Sequence, residues 1–147
     1  MTSLPKPSAL VKPTLTTKFH VDYEWWERNN QEDLRTYLLS HLPHELRDRL
    51  TKTQAEHKID YIDPDTGEVS QLDELRLAIQ TAAKDPTFIN DQTSLVDSIF
   101  RVFLKNNNLP LTPMELADFT GRSAETILKT LNGKRIYKGI RPFVSEG

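Results

Sequence analysis

The chain contains no cysteine. Disulfides, thiolate metal centres, iron–sulfur clusters and cysteine nucleophiles are excluded, and a reducing compartment, the cytoplasm, is the expected setting. The glycines form no phosphate-cradling loop, no serine sits on a nucleophile elbow, and no histidine has an ordered serine partner in the sequence. The chain is accordingly read as a non-enzyme without a cofactor. Long apolar runs are missing too. None approaches the roughly eighteen residues that a membrane span needs, and the stretch up to Lys18 has no apolar core of signal-peptide length. No membrane partner is expected. Pro5, Pro7 and Pro13 make residues 1–17 an extended, disordered tail. Its Leu4, Leu10, Val11 and Leu15, set among lysines and prolines, also have the makings of a docking peptide.

Charge is present in both signs but unevenly placed. The net charge of −2 argues against indiscriminate binding to nucleic acid. From Arg101 onward, however, there are eight Lys or Arg against four Asp or Glu, whereas the preceding hundred residues hold eleven against seventeen. A basic C-terminal module on an acidic body points to a polyanion as partner. At 147 residues the chain makes one domain or two small ones.

The densest local signals lie between Leu111 and Phe143. Thr112 is an N-cap, Pro113 takes the first helical position, and Glu115 completes a capping box. Met114, Leu116, Ala117 and Phe119 belong to this short helix, which Gly121 ends. Ser123 caps a second helix whose apolar face is Ile127, Leu128 and Leu131, stopped by Asn132-Gly133. Ala117 is small enough for a tight helix crossing, Gly121 sits four later in the turn, and Ile127 anchors the second helix to the first. Beyond Gly133 the chain reads KRIYKGIRPF, in which Ile136, Tyr137 and Ile140 favour strand and Lys138-Gly139 makes a plausible hairpin tip.

The Ala117, Gly121, Ile127 spacing and the basic hairpin together resemble the winged helix-turn-helix superfamily. The resemblance covers the C-terminal third of the chain and singles out no narrower family. It implies that the second helix enters a groove of duplex nucleic acid, DNA rather than RNA, while the wing lies along phosphates. The residues assigned to that contact are Arg122, Ser123, Thr126, Lys129, Lys134, Arg135, Lys138 and Arg141. The reading set is modest, since only Arg122 and Lys129 on the helix are cationic and Glu125 repels phosphate. A solvated surface hairpin with ordinary lysines is the plainer alternative.

Upstream, Phe19, Val21 and Tyr23 alternate with polar residues and read as a strand through Tyr23, with Trp25-Trp26 either continuing it or starting a helical turn. Asn30 is placed as the cap of a helix to about Leu42, and Pro43 starts a short one containing Leu46 and Leu50. Lys58–Ile62 reads as a strand, residues 63–67 as a turn and Glu68-Val69 as the return, the hairpin sharing a small sheet with the strand at Val21. Ser70 opens a helix to about Lys84, and Thr93 or Ser94 opens another that closes at Asn106-Asn107-Asn108. The expected fold is α+β, mostly helical, with a small antiparallel sheet: residues 18–90 form an N-terminal part and residues 93–143 a C-terminal winged helix-turn-helix.

Of the adjacent Trp25 and Trp26, one can face the core while the other faces out, so they are the candidate partner-binding residues, through which the N-terminal part would meet a protein partner or a second copy; the plainer alternative is that both are partly buried. His41 and His44 straddle Pro43 with no third ligand at fixed spacing, and no metal site is expected. Asp60, Asp63, Asp65 and Glu68 lack the spacing of a calcium loop and read as turn chemistry. Two functions remain: a nucleic-acid-binding accessory or regulatory protein of transcription, or a protein–protein adaptor whose winged helix touches no nucleic acid. The first requires a continuous positive face. The second requires the basic residues to be paired with carboxylates, with an apolar patch left exposed.

Overall fold

The computed structural model describes residues 12–28, 33–56 and 71–144. In chain order the elements are β1 (Phe19–Val21), α1 (Tyr23–Arg28), α2 (Leu34–Leu39), α3 (His44–Glu56), α4 (Gln71–Ala83), α5 (Leu95–Lys105), α6 (Pro113–Thr120), α7 (Ala124–Leu131) and β2 (Ile140–Pro142). The described protein is thus mostly helical with a two-stranded antiparallel sheet. It divides into two compact units. One joins the chain up to Arg28 with everything from Ile89 onward, and the other is Asn29–Phe88. The first is discontinuous, an arrangement that a linear reading does not suggest.

In the Asn29–Phe88 unit, α2 and α3 pack against α4. Leu38, Leu42, Leu50, Leu75, Ala78, Ile79, Ala83 and Phe88 are buried there. Asp33 supplies the cap of α2: its carboxylate accepts the Thr36 backbone N–H at 3.0 Å and the Thr36 hydroxyl at 2.7 Å, while Asn30, where the sequence places the cap, lies outside the described residues. These bonds hold the Asp33 carboxyl below its ordinary value. His41 is a core residue edge-on to Tyr37, whereas His44 opens α3 in the open and bonds Asp48 at 3.0 Å. The hairpin expected over residues 58–69 and the cap expected at Ser70 lie outside the described residues.

The other unit is organised by β1. Val21, Phe19 and their neighbours alternate as expected, but the strand stops at Val21 because Asp22 starts a helix. The Asp22 side chain accepts the Glu24 backbone N–H at 3.0 Å and its carbonyl accepts that of Trp25 at 3.1 Å, so Tyr23, Trp25 and Trp26 are helical. One edge of β1 bonds β2, with Phe19 opposite Pro142 and Val21 opposite Ile140. The other edge is occupied as well. Phe19 and Leu111 exchange backbone bonds at 2.7 and 2.9 Å. The Asn108 carboxamide then imitates a further strand residue, accepting the Val21 N–H at 2.8 Å and donating to the Val21 carbonyl at 2.9 Å. Both edges of β1 are thus bonded to residues of its own unit.

Phe19 and Val21 point into a core made with Trp26, Ile99, Phe100, Val102, Phe103, Leu116, Ile127 and Ile140, all at most 5% exposed. Helix α5 supplies four of these. It opens at Ser94, whose hydroxyl accepts the Asp97 N–H at 3.2 Å, and closes through Asn107 and Asn108, both in the left-handed region that asparagine tolerates. The α6–α7 pair follows the expected grammar. Thr112 and Glu115 form the capping box, Gly121 adopts φ 72°, and Ser123 caps α7.

The segment after α7 departs from expectation. Tyr137 to Ile140 is a tight turn closed by a 2.9 Å backbone bond, and Lys138 and Gly139 take φ values of 56° and 78°, as a hairpin tip requires. Yet residues 134–137 form no strand, and β2 pairs with β1. Lys134 and Arg135 are exposed and give that arm nothing to bury, whereas Phe19 and Val21 give β2 an apolar partner.

Candidate functional site

The residues assigned to nucleic-acid contact divide into two groups. Arg122, in the turn between α6 and α7, is held internally: its guanidinium donates to the Thr93 carbonyl at 2.6 Å and the Asp91 carbonyl at 3.5 Å. It clasps the loop in front of α5. Arg141, on β2, is paired with Asp22 at 3.2 Å, and Asp22 also meets Arg28 at 3.6 Å. Lys138 is half-buried, and its carbonyl accepts the Trp26 indole N–H at 3.0 Å. The neighbouring Gly139 is required twice over. Its φ is left-handed, and a Cβ there would lie 2.9 Å from the Asp22 carbonyl oxygen and 3.0 Å from the Trp26 indole nitrogen.

The second group faces outward. Ser123 caps α7 through a 3.3 Å bond from the Thr126 N–H. Ile127 and Leu131 are buried beneath the helix, while Ser123, Glu125, Thr126 and Lys129 are exposed. Beyond the buried Leu131, Asn132, Gly133, Lys134 and Arg135 are all exposed. Lys129, Lys134 and Arg135 have no carboxylate partner among the described residues. The Arg135 guanidinium lies 5.1 Å from the centre of the Tyr137 ring, a cation–π contact that narrows its range of motion while leaving the charge exposed. Asn132 joins this surface as the C-cap of α7, a place where the sequence marks only a stop signal.

The tryptophans are not equivalent. Trp26 is 5% exposed, edge-on to Phe100 and to Trp25, and tied to Lys138, so it is a core side chain and not a surface anchor. Trp25 is half-buried. The exposed apolar side chains of α6 are Met114 and Phe119, at 54% and 50%. Pro113, Leu116 and Thr120 are the buried residues of α6, and Met114 and Phe119 fall off that i, i+3, i+7 stripe, a signal present in the spacing. Glu115 and Asp118 lie exposed between them.

On the outer side of the sheet His20 stands edge-on to Phe143 at 5.1 Å. Burial lowers the His20 pKa from its ordinary value, Asp22 opposes this, and Arg141 adds to it. No helix among the described residues is long and apolar enough to cross a membrane. Compared with protein-family models, curated proteins and solved structures, the chain matches none of them.

Proposed function

We propose that the protein binds duplex nucleic acid through α7 and the basic segment after it, as an accessory or regulatory factor in transcription, with α6–α7 as the helix pair that presents this surface. The observation that carries this reading is the exposed side of α7, with Ser123, Glu125, Thr126 and Lys129, followed by the exposed run Asn132–Arg135, in which Lys129, Lys134 and Arg135 have no carboxylate partner among the described residues. DNA is favoured over RNA because the B-form major groove admits a helix and the A-form one is too narrow. The test is fluorescence anisotropy of a labelled random-sequence DNA duplex at two salt concentrations. Wild-type protein is expected to bind more tightly at the lower salt, and a variant with Lys129, Lys134 and Arg135 all changed to Gln is expected to lose that binding while keeping its circular dichroism. Absence of wild-type binding at low salt sinks the proposal.

A second reading, a protein–protein adaptor, is favoured by a different observation. Arg122 and Arg141 are spent within the fold, and Met114 and Phe119 remain exposed beside Glu115 and Asp118. Acidic and apolar groups on one helix face suit a protein surface better than a phosphate backbone. On this reading the DNA titration is flat, and Met114→Ser with Phe119→Ser abolishes partner capture without changing the fold.

A further inference from the structure

The cations of the exposed surface are all at one end of it. Lys129 is in the last turn of α7, and Lys134 and Arg135 follow the helix. The first turn carries Glu125 instead. A carboxylate there occupies the positive end of the helix dipole, which would otherwise attract a phosphate. Helix α6 is closed to anions in the same way, because Glu115 in its first turn folds back onto the Thr112 N–H at 3.0 Å. Arg122, which immediately precedes the Ser123 cap of α7, is held on Thr93 and Asp91. The exposed residues of the cap and first turn, Ser123, Glu125 and Thr126, include none of the Arg, Lys, Asn or Gln side chains that most often read base edges.

From this polarity, and resting on the nucleic-acid reading above, we infer that the protein grips the phosphate backbone by the C-terminal end of α7 and the Asn132–Arg135 segment, with little regard to base sequence. The ligand is then a duplex backbone of any sequence. Lys129, Lys134 and Arg135 each neutralise one phosphate. The N-terminal half of α7 stays outside the contact, the opposite of a helix-turn-helix whose recognition helix leads with its N-terminus.

The experiment is an anisotropy titration of the full chain against two DNA duplexes of equal length and scrambled sequence, over a series of salt concentrations. The two duplexes are expected to bind within about threefold of each other, less than the roughly fivefold that one mismatched base pair costs a sequence reader. The slope of log affinity against log salt is expected to be about −2.7, and to flatten by about 0.9 in each of Lys129→Gln, Lys134→Gln and Arg135→Gln. Glu125→Ala and Thr126→Ala are expected to change affinity less than about twofold, since neither residue meets the ligand. If wild-type protein shows no salt-dependent binding to either duplex, the nucleic-acid reading itself fails. If it binds, but prefers one duplex and loses the preference on Glu125→Ala or Thr126→Ala, then the helix reads bases with its first turns and the inference is overturned while the reading stands. A salt slope unmoved by the three charge variants overturns it equally. The altered side chains are all exposed, and circular dichroism of each variant checks that the fold persists.

Discussion

At the scale of single residues, several polar side chains take the place of backbone partners. Asn108 stands in for a strand, and removing its carboxamide leaves the Val21 N–H and carbonyl without partners. Asn108→Ala is expected to destabilise the protein by about 1–3 kcal/mol in denaturant unfolding, the cost of unsatisfied buried groups. Asn108→Asp is not a rescue, because the donor to the Val21 carbonyl is lost. Arg122 gives a contrasting prediction. Arg122→Ala should lower stability by about 1–2 kcal/mol through the lost charge-assisted bond to Thr93, yet leave the salt slope of DNA binding unchanged. A flattened slope would place Arg122 on the ligand. His20 links stability to pH. Its folded pKa lies below 6.5, so as pH falls through that value the unfolded chain takes up a proton first. Stability should therefore decline from pH 6.5 down to the folded pKa and level off beneath it, and His20→Asn should remove that component of the decline in denaturant titrations across the window. None of these roles was legible in the sequence. Asn108 reads as a helix stop and Arg122 as a nucleic-acid contact because each bonds to a segment far from it in the chain.

At the scale of elements, the local grammar was legible wherever a cap spelled it out. Thr112 with Glu115, Gly121, Ser123 and Ser94 take the expected places because each signal and its partner lie within four residues. The same locality explains the misplacements. Phe19 to Tyr23 alternates like a longer strand, but the Asp22 cap overrides the pattern and turns Trp25 and Trp26 into helix. Lys138-Gly139 does form the turn expected of a hairpin tip, but turn chemistry cannot tell which strand the next residues will join. For the candidate site, the exposed face of α7 was readable from helical spacing, whereas the internal use of Arg122 and Arg141 was not. The capping box offers a direct check. Thr112→Ala should cost about 1 kcal/mol. Ser in its place should restore nearly all of it, both read from thermal unfolding.

At the scale of the whole molecule, the C-terminal helices do not make a unit by themselves. Phe19 and Val21 are at most 1% exposed, and Trp26 closes over Phe100 from the same segment. A fragment beginning near Ile89 is expected to lack cooperative unfolding and near-ultraviolet dichroism, and to regain both when residues 12–28 are joined to it by a flexible linker. A fragment that unfolds cooperatively without them would show that β1 only decorates the core. The charge asymmetry seen in the sequence survives in the structure as the exposed cations at the end of α7, although less of it faces outward than the count of Lys and Arg implies.

Because β1 pairs with β2, the order of synthesis and the order of assembly conflict. The ribosome makes Phe19–Val21 about 120 residues before Ile140–Pro142, an interval of roughly 6–24 seconds at ordinary elongation rates. For most of it both edges of an apolar strand wait, since Asn108 and Leu111, which bond the other edge, are also made late, and such a strand is a natural client for a chaperone that captures nascent chains. Codon choice or translational pausing between the two strands thus becomes a determinant of how much of the protein reaches its native state.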